Sequence, residues 1–255
     1  MILKPAVISF LLFIQACAVF AQTGVKDYRA KVEESYRHDV SAYTQGLFFY
    51  DGSLYESTGQ YGESSFRKVD LTTGKVMWSH LFPEEYFIEG SCALDGRVYI
   101  LTWHEGTCFV YSLSEMEQLA EFRYRGQGWG LTTDGESLIM SDGTSTLTFR
   151  DPVTFIAGRT VEVTLGGRPV YNINELEYID GSIWANLYGS GHILIIDPLT
   201  GKVTGRIDCT RLLDGIPKLG NVDVLNGIAY NAADGSVYVT GKYWPRIFRI
   251  SIEEK

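Results

Sequence analysis

Basic residues are scarce in this chain. Across 255 residues, 22 Lys and Arg face 31 Asp and Glu, for a formal net charge of −9. A surface that binds nucleic acid needs a basic stripe to neutralise phosphates, so no nucleic-acid partner is expected. Cysteine is scarce too: Cys17 falls in the N-terminal segment, and only Cys92, Cys108 and Cys209 follow. An odd number excludes a full disulfide framework, and the three read as small buried hydrophobes. The four histidines, His38, His80, His104 and His192, stand singly, with no His-x-x-x-His and no Cys-x-x-Cys. That leaves no ligand set of the zinc type and no metal ligand to assign, although an oxygen-ligand calcium site of structural kind is compatible with the sequence. After residue 25 no apolar run approaches the roughly 20 residues of a membrane span.

What is present describes an ordinary globular chain. Hydrophobic residues make up 45% and charged residues 21%, which rules out a disordered polymer. Glycine (27) and tyrosine (16) far outnumber proline (7), as expected for many short strands joined by tight turns. Residues 1–21 are read apart, as a secretory signal peptide. Lys4 supplies the positive start, an apolar stretch follows, and Val19-Phe20-Ala21 places small residues at the cleavage site. Cleavage after Ala21 would leave Gln22 first. Export to the periplasm or medium follows, and Cys17 offers a position for lipid attachment. Residues 22–255 carry no linker or low-complexity segment and read as a single domain, expected to be monomeric.

Asp-Gly recurs at 51–52, 95–96, 134–135, 180–181 and 234–235, at intervals of roughly 40–50 residues. Between alternating apolar runs this dipeptide is the strongest short hairpin signal, because both turn positions need φ > 0. GLFFY-DG-SLYEST and ELEYIDG-SIWANLY show a strand on each side. A third strand follows (FRKVDL, CFVYSL, TLTFRD, HILIID, RIFRIS), and then a Thr-Gly or Pro-Thr turn and a fourth. Five units of four strands predict an all-β, five-bladed β-propeller. The chain ends on a third strand, so residues 31–39 are expected to supply the missing fourth and close the ring.

The repeat also predicts where chemistry sits. The start of the first strand and the end of the second lie together, opposite the Asp-Gly turn. Six residues before the Asp lie Gln45, Glu89 and Asn174; Trp129 lies five before and Asn226 eight before. Eight residues after it lie Gly59, Trp103, Asp142, Tyr188 and Lys242. One mouth should therefore gather Gln45, Glu89, Asn174, Asn226, Trp103, Trp129, Tyr188 and Lys242, a mixed polar and aromatic pocket. No nucleophile–His pairing is available, and Asp142 and Glu175 are the only nearby candidates for a second carboxylate. One acid/base carboxylate, amide and ammonium donors and aromatic walls suit an intramolecular reaction in which positioning supplies most of the rate. Trp78 and Trp184 are expected between blades.

At these residues the sequence resembles the plant-type glutaminyl-peptide cyclotransferases, five-bladed propeller enzymes. The likeness runs from about residue 35 to 250. It is carried by YTQGL at 43–47, ESTGQYGESSFRKVDL at 56–71, FIEG at 87–90, LTW at 101–103, GQGWGLTTDG at 126–135, SDGT at 141–144, NELEYIDG at 174–181, IDPLTG at 196–201, VLNGIAYN at 224–231 and TGKYWP at 240–245. The resemblance implies an acyltransferase that converts N-terminal glutamine of peptides or proteins to pyroglutamate and releases ammonia, without zinc or another required cofactor. It implies Glu89 as acid/base and active-site roles for Gln45, Trp103, Trp129, Asn174 and Lys242. Tyr43, Ile88 and Tyr188 depart from the usual Phe, Gly and Trp.

The expected chemistry is attack of the substrate's α-amine on its own γ-carbonyl. Glu89 takes a proton from the amine and returns it to the leaving nitrogen. Lys242, Gln45 or Asn174 would face the oxyanion, with Trp103, Trp129, Tyr188 and Asn226 as substrate contacts. Phe87, Ile88 and the indoles should raise the Glu89 pKa by desolvation, and Lys242 should oppose them. Two other readings fit the same pocket: a non-catalytic propeller that binds peptide N-termini, and a propeller lyase or hydrolase acting on a sugar or lactone.

Overall fold

The computed structural model describes residues 24–217 and 221–255, so the signal segment, with Lys4, Cys17 and Gln22, lies outside the described residues. Among the described residues there is no helix, and hence none long and apolar enough to cross a membrane. The first strand, β1 (Lys26–Arg37), is followed by β2 (Thr44–Tyr50), β3 (Ser53–Thr58), β4 (Ser65–Asp70) and β5 (Lys75–Leu81), one antiparallel sheet in chain order. The same order repeats in β6 (Ile88–Leu94), β7 (Arg97–Thr102), β8 (Thr107–Ser112) and β9 (Gln118–Arg123). A third sheet holds β10 (Leu131–Thr133), β11 (Leu138–Met140), β12 (Thr146–Arg150) and β13 (Ala157–Glu162). A small hairpin, β14 (Thr164–Leu165) and β15 (Arg168–Pro169), precedes β16 (Ile173–Ile179), β17 (Ser182–Leu187), β18 (His192–Ile196) and β19 (Val203–Asp208). Last come β20 (Leu225–Asn231), β21 (Ser236–Gly241) and β22 (Arg246–Glu254).

The sheets stand in a propeller-like arrangement. The first strand of each set packs against the next: β2 on β6, β6 on β10, β10 on β16, β16 on β20, and β20 on β2. β1 lies antiparallel beside β22, from Tyr28 opposite Glu254 to Arg37 opposite Arg246, and its start runs parallel to β19. Of residues 31–39, expected as a fourth strand, Lys31–Arg37 lie within this pairing.

Inner strands are buried on both faces and outer strands face water, as β2 and β5 show. The core lies between neighbouring sheets. Phe48, Tyr55 and Phe66 pack with Ile88, Val98, Ile100 and Phe109; burying each such side chain contributes about 1.5–3 kcal/mol. Trp184 belongs to one of these layers. Trp78 does not. It is 38% exposed on outer strand β5 and meets Phe66 of its own sheet edge-on, because outer strands have no neighbouring sheet to bury them. Cys92, Cys108 and Cys209 are free and buried.

The five Asp-Gly turns divide into two kinds. Asp51-Gly52, Asp95-Gly96 and Asp180-Gly181 are two-residue hairpins with φ positive at both residues, the geometry that matches strand twist. At the other two, the strands pair only as far as Thr133 with Leu138 and Asn231 with Ser236. These longer turns are tied by side chains: Asp134 Oδ1 accepts from the N–H groups of Glu136 and Ser137 at 3.0 and 2.7 Å.

Candidate active site

Four of the five inner strands break register at the same level. Pairing skips Gln45 between Thr44 and Gly46, Glu89 and Gly90 between Ile88 and Ser91, Asn174 and Glu175 between Ile173 and Leu176, and Asn226 and Gly227 between Leu225 and Ile228. A bulge frees a side chain from the alternation of the strand and re-aims it. Here each bulge opens on one of the polar residues that the repeat picked out. Trp129 and Gly130 occupy the equivalent place just before β10.

Neighbouring sheets lock these bulges. Ser57 Oγ donates to the Glu89 carbonyl at 2.7 Å, and Ser141 Oγ donates to the Asn174 carbonyl at 2.7 Å. Gly90 N–H donates to the Trp129 carbonyl at 2.7 Å. A Cβ at Gly90 would lie 2.6 Å from Trp129 O and from Leu131 N, atoms of a rigid backbone. Gly90→Ala is therefore expected to destabilise the fold by about 1–3 kcal/mol, as overpacking does. Chemical denaturation reads this directly, and an unchanged midpoint would show that the sheets approach less closely.

The mouth residues enclose a cavity of about 370 Å³ lined by Tyr43, Gln45, Gln60, Phe87, Glu89, Trp103, Trp129, Asn174, Tyr188 and Lys242. A larger hollow, about 740 Å³, lies on the flank beside β1 and β19, but its lining holds no carboxylate, only Lys26, Lys202 and Tyr28 among ionisable groups. Chemistry therefore belongs to the smaller cavity. Seven of the eight expected residues line it. Asn226, fully buried, stands one layer behind. Asp142 turns to cap Thr144, with Oδ1 3.0 Å from its N–H. Glu175 faces away too: its two oxygens accept from Leu47 N–H at 3.3 Å and Ile228 N–H at 2.9 Å, stitching β2 and β20 together. Glu89 is the one carboxylate lining the cavity among the described residues.

Glu89 is 5% exposed. Burial pushes its pKa well above the ordinary carboxylate range, Lys242 pulls it down, and Glu105 adds to the rise; desolvation wins. Lys242, 3% exposed, has its pKa lowered by burial, against the attraction of Glu89 and Asp223. Its ammonium sits 4.4 Å from the centre of the Tyr43 ring and 5.3 Å from that of Tyr188, favourable cation–π placements.

The amides form one directed chain. Asn226 Nδ2 donates to the Thr44 carbonyl at 2.8 Å. A carbonyl only accepts, so this contact fixes which way Asn226 faces. Its Oδ1 must then accept from Asn174 Nδ2, at 2.8 Å. Its Nδ2 also reaches Gln45 Oε1 at 3.3 Å, which leaves Gln45 Nε2 to donate to Glu89 Oε1 at 3.0 Å. Asn174, which lines the cavity, thus spends one N–H on Asn226 and keeps its second N–H and its oxygen. Each of the three expected oxyanion donors therefore keeps an N–H to offer: Lys242, and the second N–H of both Gln45 and Asn174.

Phe87 joins the walls through T-shaped and tilted ring contacts. Its ring centre lies 5.3 Å from that of Trp103, 6.1 Å from Tyr43 and 5.3 Å from Tyr61. Trp129 meets Tyr188 edge-on at 5.6 Å. Ile88 points into the core between sheets with no positive φ, so its departure from the usual glycine changes packing and not the mouth. Tyr43 and Gln60 were absent from the expected set. The Tyr-x-Gln and Gly-Gln pairs at 43–45 and 59–60, one or two places from mouth positions, are the only sequence signal for them. Among the described residues no cluster of three or more His, Cys, Asp or Glu is placed to hold a metal.

Comparison with known proteins adds three findings. The profile of the glutamine cyclotransferase family matches residues 6–252. A glutaminyl-peptide cyclotransferase of Arabidopsis thaliana is 41% identical over 228 residues, 88% of this chain and 71% of that protein. The crystal structure of Myxococcus xanthus glutaminyl cyclase superposes with a TM-score of 0.84 at 37% identity, covering 91% of this chain and all of that one.

Proposed function

For a chain that belongs to the glutamine cyclotransferase family, we infer how the cavity performs the family's reaction. The protein is a glutaminyl-peptide cyclotransferase: it converts N-terminal glutamine to pyroglutamate. The observation that carries the mechanism is a single buried carboxylate, Glu89, facing one cation, Lys242, in an aromatic cavity.

The substrate's side chain enters between Trp103, Trp129 and Phe87, and its main chain leaves through the open mouth, so later residues are little constrained. The α-amine, with a reference pKa of about 7.7–8.0, must be neutral to attack. As its nitrogen bonds to the γ-carbon, Glu89 accepts one of its protons. The carbonyl oxygen takes up negative charge facing Lys242 and the free N–H of Gln45. Glu89 then gives the proton to the γ-nitrogen, the C–N bond breaks and ammonia leaves. One carboxyl suffices because the two transfers are sequential and restore it. A carboxylate whose pKa is raised towards that of the amine is a better base than one in water, and its acid is still strong enough to protonate the leaving nitrogen. The Asn174 oxygen accepts from the amine and holds it over the γ-carbon. Closed indole walls exclude water, which would otherwise give glutamate.

The same reading extends to the whole fold. The five four-stranded sets are the blades of a ring, with β1 as the last strand of the fifth, closing it through β22 and removing its open edge. Residues 1–21 direct export as a cleaved signal, and Gln22, once exposed, is itself a substrate for the enzyme. The reaction needs no metal. Ammonia release from a Gln-initiated dipeptide is expected to proceed at the same rate with and without a chelator. Binding without ammonia release would make the protein a receptor for peptide termini, and loss of turnover on chelation would move the chemistry to a bound ion.

A further inference from the structure

We propose that Gln127 is a positioning residue, whose one amide oxygen clamps both tryptophan walls and occupies the only hydrogen-bond donor each indole carries. The proposal rests on the cyclisation reading of the cavity. Gln127 lies in the turn between β9 and β10. Gly126, at φ 87°, bends the chain there. A Cβ at Gly128 would lie 2.7 Å from the Thr102 carbonyl, and Gly128 N–H donates to the Trp103 carbonyl at 3.0 Å. The Tyr124 phenol accepts from Thr102 N–H at 3.2 Å and bonds its carbonyl as well. The turn is thus fastened to the end of β7, and Gln127 faces the indoles.

From there, Gln127 Oε1 accepts from Trp103 Nε1 at 2.8 Å and from Trp129 Nε1 at 2.8 Å. One carbonyl oxygen has two lone pairs, and both are used. The two indoles come from different sheets: Trp103 follows β7 and Trp129 precedes β10. The shared acceptor holds their nitrogens within two hydrogen-bond lengths of each other, which sets the width of the slot between the rings.

The second consequence is chemical. An indole N–H only donates, and in a dry cavity an unpaired one seeks any acceptor within reach. Besides Glu89 and Asn174, the acceptors present during turnover are the γ-carbonyl oxygen, which has to face the oxyanion donors, and water, which hydrolyses instead of cyclising. With both N–H groups taken by Gln127, the two indoles offer the substrate only ring faces and carbon edges.

Gln127→Leu keeps the size and removes the acceptor. The expected result is a fall of roughly ten- to a hundredfold in kcat/KM, mostly in kcat, as misplacement of reacting groups produces. A purely structural role would not move the indole N–H resonances. In the wild type those of Trp103 and Trp129 should exchange with solvent at least about tenfold more slowly than that of Trp78, which is 38% exposed. In Gln127→Leu both should shift and exchange faster, and Gln127→Glu, which keeps an oxygen acceptor, should restore slow exchange. Unchanged resonances in Gln127→Leu, with or without a loss of activity, overturn the proposal. So do wild-type indoles that exchange as fast as Trp78, a measurement that needs no variant to fold. A wild type that holds both resonances but releases no ammonia refutes the cyclisation reading alone, and the clamp is then judged by the indole signals.

Discussion

Glu89→Gln is expected to lower cyclisation at least about a thousandfold while the protein stays folded. The size follows from the role. A group that moves the proton twice in one turnover contributes at the upper end of general acid–base catalysis, roughly 10²–10⁴-fold. The amide that replaces it neither accepts the proton from the amine nor delivers one to the leaving nitrogen. The substitution is gentle in every other respect. Gln at 89 has the same size, and its oxygen still accepts from Gln45 Nε2, which lies 3.0 Å away in the wild type. The sign of the stability change can also be stated. Burial raises the Glu89 pKa in the fold, so the wild-type contribution is fully present below the unfolded-state pKa and is lost as pH rises through the folded one. The variant carries no such group. It should match the wild type in acid and be at least as stable in mild alkali. Thermal unfolding across pH reads the second part and ammonia release the first. Residual turnover above a few per cent removes Glu89 from its role.

Lys242→Met should cost about 10²–10³ in kcat/KM and move the acid limb of its pH profile upward. The rate loss is that of a principal oxyanion donor removed from a dry site. The pH effect has a separate cause. The Lys242 charge holds the Glu89 pKa down against burial. Without it the carboxyl stays protonated to higher pH, and a protonated Glu89 takes no proton from the amine. The free substrate's amine titrates identically for both enzymes, so a shifted limb belongs to the enzyme. An acid limb that stays in place would mean that Lys242 does not act on Glu89. A rate that survives would leave the amides of Gln45 and Asn174 as the oxyanion donors.

Much of this site was legible before any coordinates. The Asp-Gly repeat is a local signal that marks a hairpin wherever it occurs, so counting outward from each copy reached the same level of each strand pair. That is why Gln45, Glu89, Trp103, Trp129, Asn174, Tyr188 and Lys242 were placed together and do line one cavity. The same counting was blind to depth. It put Asn226 beside Asn174, where in fact Asn226 lies behind and orients it. It left Asp142 and Glu175 open as second carboxylates; one caps a turn and the other binds two backbone N–H groups across the channel. Gln127 had no periodic signal, because it stands in a connection and not in the repeat.

The division is physical. Strand, turn and the spacing between them depend on residues a few places apart, so the sequence alone determined the all-β repeat, the hairpins and which side chains share a level. What a side chain does at that level depends on partners far away in the chain. The Thr44 carbonyl sets the direction of an amide chain that includes Asn226, the Trp129 carbonyl holds the bulge that presents Glu89, and one oxygen of Gln127 joins indoles from two sheets. Those contacts exist only once the sheets pack, and only the tertiary structure decided which polar groups are spent on the fold and which are left for the substrate.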